Sequence, residues 1–340
     1  MKTASLLVII VIVYAVLYYG RDLIIPMIIA LFIWYLIKES RDLLVRIPKI
    51  GTKIPLWILN FLSFGFMFGI LSIVVSLISH NMQYLNANVD KYQESLTRLI
   101  SNIEETYQLD IISRATEFIG NWNFTELLSN ILGSLSGIFS NAFTIVLYAV
   151  FLLLEESFFH VKLRSLFRNN DDYQSAQNII AKVDRSISSY LSLKTLVSLL
   201  TGFLSYIALL ILGVDAPIFW SFLIFLLNYI PTIGSLIATT FPAIFALIQF
   251  GNYTNALAVL IVVGTIQVII GNILEPKVMS NSLNISALVV LISLSFWGVL
   301  WGISGMFLAV PIMVIAIIFL SEFKSTKPIA IILSEKGDIN

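Results

Sequence analysis

Glu275, Pro276 and Lys277 stand in the stretch GNILEPKVMSNSL, residues 271–283, between two long apolar runs. From Thr195 to Ser321 the only charged residues are Asp215, Glu275 and Lys277, so two of the three fall here. The run 255–274 reads as a helix that Pro276 ends. Lys277 lies beyond its C-terminus, where a cation is favoured. Glu275 has no such reason to be there, because a carboxylate at a helix C-terminus opposes the dipole. It needs a partner: Lys277, Lys194, Arg185, the backbone N–H groups of the 280–284 turn, or a solute. A structural partner is the leading expectation.

A second group gathers in NYIPTIGS, residues 228–235. Pro231 lacks an N–H and Gly234 tolerates unusual dihedrals, so a helix break is expected there. Non-helical backbone at membrane depth survives only where protein or water satisfies it. Asn228, Thr232, Ser235, Thr239 and Thr240 cluster at this break, and Gln267 and Asn272 lie five apart on the next helix. The candidate solute pathway is therefore Asn228, Pro231, Thr232, Gly234, Ser235, Thr239, Gln267, Asn272, Glu275 and Pro276. The cluster at the break has no ionisable member, which argues against a proton relay and suits a neutral, polyhydroxylated solute. The blander alternative is a surface loop whose hydroxyls bond their own helix.

The elements that position these residues follow from composition. The chain has 340 residues, 58% hydrophobic and 12% charged, with a mean hydropathy of +0.94. A soluble domain carries about 25% charge, so this is an all-α, polytopic integral membrane protein with the lipid bilayer as its main partner. Net charge is zero, and no basic block suggests nucleic acid. There is no Cys, so disulfides and thiolate metal sites are excluded. His80 and His160 sit just past apolar runs and suit an interface better than a metal. No phosphate-binding loop or nucleophile–base set is visible, so an enzyme is not expected and no cofactor is implied.

Apolar runs at 4–19, 23–37, 56–79, 142–154, 196–214, 218–230, 235–250, 255–274, 285–300 and 303–320 are the candidate spans. They amount to about eight transmembrane helices or helical hairpins, each full span needing about 20 apolar residues. The first run lacks a small-residue cleavage site and reads as a retained helix that pairs with the second as a hairpin. In the C-terminal half, 218–250 and 285–320 are each interrupted, the second at WGISG, residues 301–305. Each pair reads as a re-entrant hairpin or two full spans.

Lys and Arg are dense in 38–53 and 160–194 and sparse in 81–141. The positive-inside rule puts the first two segments and both termini in the cytoplasm and 81–141 outside. Leu85, Val89, Tyr92, Leu96, Leu99 and Ile103 form a seam at spacings of four and three. Its partner is the following helix around Ile111–Ile119 or the same helix of another subunit. A further stripe from Leu127 to Phe139 suits the membrane face, and 176–191 an interfacial helix feeding the next span. The organisation is then 1–80, N-terminal spans; 81–141, extracytoplasmic helices; 142–195, a span and a cytoplasmic amphipathic helix; 196–322, a transport core; and 323–340, a tail. Gly65–Gly69 and Gly298–Gly302 let helices approach closely and predict a homo-oligomer.

The segments NYIPTIGSLIA, GNILEPKVMSNSLNISALVVLISLSFWGVLWGISGMFLAVPI and SISSYLSLKTLVSLLTG closely resemble the autoinducer-2 exporter family over nearly the whole chain. The resemblance implies a bacterial inner-membrane exporter of the small signalling furanone autoinducer-2, assembled as a homo-oligomer, with a pentamer the expected form. Some members are thought to exchange Na⁺ or Li⁺ for H⁺, so an antiporter is the alternative. Ser280 stands where family members commonly have Gly, which loosens any argument from a flexible turn there. A third reading, a non-transporting scaffold that binds partners through the outer seam, leaves the interrupted helices unexplained.

Overall fold

The computed structural model describes residues 2–46, 55–107, 141–167, 169–279 and 284–337. Among these the chain is helical, without strands. The helices are α1 (Lys2–Tyr19), α2 (Arg21–Arg46), α3 (Leu56–Ala87), α4 (Val89–Tyr107), α5 (Ala142–Leu166) and α6 (Asn170–Ile211). They continue with α7 (Pro217–Leu227), α8 (Ile233–Phe250), α9 (Tyr253–Ile269), a π turn (Ile270–Leu274), α10 (Glu275–Met279), α11 (Ala287–Glu322) and α12 (Lys327–Leu333). Seven stretches of the described residues are long and apolar enough to cross a membrane. At most 39% of any such span is buried, and residues such as Phe61, Phe203 and Ile211 lie more than half exposed. Their solvent is hydrocarbon.

The chain divides into two compact units. The first comprises Met1–Met67, Asn141–Leu193 and Val278–Asn340. Its core gathers Phe32, Tyr35, Ile187, Tyr190, Leu300 and Trp301. Charged residues of 38–53 and 160–194 are tied into this unit by side-chain pairs. Arg41, 9% exposed, is held by Glu156 at 2.9 Å and by Asn60 at 2.9 Å, and Trp34 Nε1 donates to the same Glu156 at 3.2 Å. Lys38 donates to Asp184 at 2.7 Å, and Ser188 to Glu39 at 2.7 Å.

α1 and α2 do not fold back as the expected hairpin. Only Gly20 separates them; its N–H bonds Val16 and its carbonyl accepts from Ile24, so the helix bends without reversing. The break in α11 is where the sequence put it, with Gly302 at φ 63° and ψ −142°. Gly298 is used within the chain, since a Cβ there would lie 2.8 Å from Met306, whereas Gly302 has nothing within 4 Å of where a Cβ would stand and serves the break through its positive φ. Gly65 and Gly69 have nothing within 4 Å of where a Cβ would stand.

The second unit comprises Phe68–Ser140 and Lys194–Lys277. Among the described residues, the seam of α3 and α4 packs against α8. Leu85 and Tyr92 are fully buried, Tyr92 meets the Phe245 ring at 5.3 Å, and Gly251 lies against Ser95. The side chain of Ile103, the helix expected around 111–119 and the stripe at 127–139 lie outside the described residues.

Asp215, the lone acid of 195–274, accepts from Tyr92 at 2.9 Å, while its N–H donates to Gln249 at 2.8 Å. Burial first, and then the Asp215 carboxylate, holds the Tyr92 phenol well above the usual tyrosine range. The amphipathic stretch 176–191 is not a separate interfacial helix. It is the first part of the 42-residue α6, since nothing between Asn170 and Thr201 breaks a helix.

Candidate functional site

The break between α7 and α8 is real and tightly made. α7 has 11 residues, about 16 Å of helix at 1.5 Å each, too short to cross a bilayer core of about 30 Å. Thr232 takes φ 61° and ψ −60°, a genuine outlier for a β-branched residue. Gly234 then passes beneath the carbonyl of Leu227, where a Cβ would lie 1.8 Å from the oxygen. No side chain fits there.

Asn228 is 6% exposed and donates through Nδ2 to Ser198 Oγ at 3.1 Å. The next residue, Tyr229, shares a 2.7 Å hydrogen bond with Thr195. The residue before that on α6, Lys194, is 2% exposed and pairs with Glu275. One turn of α6 thus collects the first break and the Glu-Pro-Lys motif at a single place. Sequence reading named Lys194 among the possible partners of Glu275 but missed Thr195, Ser198 and Tyr229. The signal available for Thr195 and Ser198 was their position inside SISSYLSLKTLVSLLTG, where polar residues recur on an otherwise apolar helix, and for Tyr229 its place beside Asn228 in NYIPTIGS.

Glu275 does not terminate a helix, and this corrects the expectation at Pro276. The helix runs from Tyr253 to Met279 through the π turn. In an α-helix the Pro276 ring would clash with the carbonyl of Asn272. The wider turn relieves that clash, and Glu275 N–H donates to Ile270 instead. The conflict with the dipole therefore disappears, and the carboxylate is held by an ammonium 81 residues away.

Other sequence candidates are not drawn in. Ser235, Thr239 and Thr240 return their hydroxyls to Thr232, Ser235 and Leu236 carbonyls at 2.9, 2.8 and 2.8 Å. Thr232 and Asn272 are exposed, and Pro231 is half-buried. Gln267 is 6% exposed, and its Nε2 has no hydrogen-bond partner. Among the described residues no group of three or more acids or His stands where it would hold a metal.

The family model for AI-2E family transporters matches residues 7–325. The AI-2 transport protein TqsA of Escherichia coli (strain K12) is 30% identical over 341 residues, covering 98% of this chain and 96% of that one. Proteins of Borreliella burgdorferi (strain ATCC 35210 / DSM 4680 / CIP 102532 / B31) and Haemophilus influenzae (strain ATCC 51907 / DSM 11121 / KW20 / Rd) carry only a provisional transport-protein name. Each is 30% identical, covering 91% of this chain and 83% of the first, and 94% of this chain and 92% of the second. With a model that spans all but the two ends, the chain belongs to the AI-2E family transporters and is a multi-pass membrane transport protein.

Proposed function

We propose that the chain exports, or facilitates passage of, autoinducer-2 or a closely similar small, neutral, oxygen-rich solute across a bacterial inner membrane. The observation that carries this reading is the convergence on one turn of α6, where Asn228, Tyr229 and Glu275 meet Ser198, Thr195 and Lys194 inside an apolar unit. Polar groups cost too much in hydrocarbon to be collected there without use. The pathway runs past Asn228, Gln267 and Glu275, with Pro231, Thr232, Gly234, Ser235, Thr239, Asn272 and Pro276 shaping the turns beside it. Termini in the cytoplasm and residues 81–141 outside complete the arrangement. The exposed Gly65–Gly69 face serves a homo-oligomer.

The Na⁺(Li⁺)/H⁺ alternative needs a carboxylate free to take a cation. Its two candidates are engaged, Glu275 with Lys194 and Asp215 with Tyr92. The test is flux of autoinducer-2 from proteoliposomes with and without imposed ion gradients. Flux without a gradient is expected. Strict dependence on a pH gradient, with matching Na⁺ movement and no autoinducer-2 flux, would establish the antiporter instead.

A further inference from the structure

Lys194, Ser198, Thr201 and Ser205 recur on α6 at spacings of four, three and four, which places them on one helix face. All are at most 2% exposed. The face looks onto α7 in antiparallel register. Asn228 meets Ser198, and a Cβ on Gly202 would lie 3.1 Å from the Ser221 carbonyl and from Phe225 Cβ. Thr201 and Ser205 therefore lie along α7, running from Asn228 toward its start at Pro217.

Helical hydroxyls in a membrane normally return to a carbonyl one turn back, and Thr201 does so with Val197 at 2.8 Å. Ser205 does not: its Oγ is buried without a partner. Two further buried donors of the same unit, Gln267 Nε2 and Trp220 Nε1, also lack an acceptor. Gln267 is placed by the π turn. That turn holds one extra residue, so Gln267 and Glu275, eight apart, stand two turns apart on one face instead of diverging. Glu275 on that face meets Lys194, the first member of the α6 stripe.

We propose that Lys194, Ser198, Thr201 and Ser205, with Gln267, line a hydrated track within this unit that takes a neutral solute by its acceptor oxygens. This rests on the transport reading above and names the residues that select the solute. Gln267 Nε2 can only donate and the Ser205 hydroxyl is free to donate as well, so both are served by acceptor oxygens. The one carboxylate and the one ammonium neutralise each other, so neither an anion nor a cation finds a free countercharge.

The chain has no native cysteine, which makes the track directly readable. Ser198→Cys, Thr201→Cys and Ser205→Cys are prepared in the full chain in proteoliposomes. Leu199→Cys and Phe203→Cys, whose native side chains are 59% and 58% exposed on the apolar side of the same helix, serve as controls. Each is treated with hydrophilic methanethiosulfonates that are uncharged, cationic or anionic. Only a thiolate reacts, and a thiolate forms only in contact with water, so the track positions should react at least about tenfold faster than the controls. The uncharged reagent should be the fastest of the three.

Absence of reaction at all three positions, in variants that keep the parent melting temperature, overturns the track. Equal rates for charged and uncharged reagents overturn the neutral-solute assignment. Should one variant fail to fold, the other two read the same face. Labelling needs no solute, so it can succeed where autoinducer-2 flux fails, and the two proposals fall separately.

Discussion

At 228–235 the chain leaves α7 through Thr232, at φ 61°, and re-enters a helix where Gly234 lies under the carbonyl of Leu227. At 301–305 it turns through Gly302, at φ 63°, and Gly305 lies under the carbonyl of Trp297, where a Cβ would stand 1.9 Å from the oxygen. The backbone device is common to both: a residue in the positive-φ region, then a glycine pressed onto a carbonyl seven or eight residues back. What surrounds it differs. The second break uses Gly at the positive φ, which costs no strain. Its buried polar groups are satisfied by backbone: Trp301 Nε1 donates to Leu17 O at 2.9 Å and Ser293 Oγ to Ala309 O at 3.2 Å. The first break puts a threonine at the positive φ and carries an amide, a phenol and, through α6, an ion pair. Backbone strain at a polar break points to use rather than to construction alone.

The largest effect separating the two breaks should come from the ion pair. Glu275→Gln leaves the Lys194 ammonium buried without its carboxylate and should cost about 3–5 kcal/mol, toward the lower end because Glu275 is 23% exposed. Unfolding by dodecyl sulfate titration reads it, and the double change Lys194→Met with Glu275→Leu should recover most of the loss. A Gln variant as stable as the parent would detach the pair from the structural role. Flux per folded molecule would then decide between solute contact and proton coupling.

Next come the two pressed glycines. Gly234→Ala and Gly305→Ala each force a methyl into a backbone carbonyl, at the upper part of the roughly 1–3 kcal/mol that overpacking costs. Similar losses are expected at both. Tolerance at one and collapse at the other would break the equivalence drawn between the turns.

Asn228→Ala removes a buried amide from Ser198 and should cost about 1–2 kcal/mol, with a matching loss of flux. Trp301→Phe frees only the Leu17 carbonyl and should cost about 1 kcal/mol without altering flux per folded molecule. Equal flux defects would mean that the second break is also part of the pathway.

The smallest effect is a gain. Thr232→Gly relieves the positive φ and should stabilise by about 1 kcal/mol, while Gly302→Ala should destabilise by a similar amount. If the strain serves transport, the Thr232→Gly protein melts higher and transports more slowly. Unchanged flux would leave the strain as a local accident of the turn.

Much of this was legible in the residues themselves. Membrane residence, the helical class and the positions of both breaks follow from hydropathy, from proline's missing N–H and from glycine's freedom, all properties carried locally by the chain. The polar cluster at 228–235 was visible for the same reason. What the sequence left open was pairing. Glu275 had five possible partners and found Lys194, the seam of α3 and α4 packs on α8, a contact that its spacing did not foretell, and Gln267 was a polar residue of unknown facing. Pro276 reads as a stop, yet one wider turn carries the helix past it and swings Glu275 onto the face of Gln267. The wider turn is local, but the pairings depend on groups tens of residues away. In a hydrocarbon solvent a buried polar group needs a partner within the protein or in water or solute that the protein admits, and only the assembled helices decide which partner is within reach.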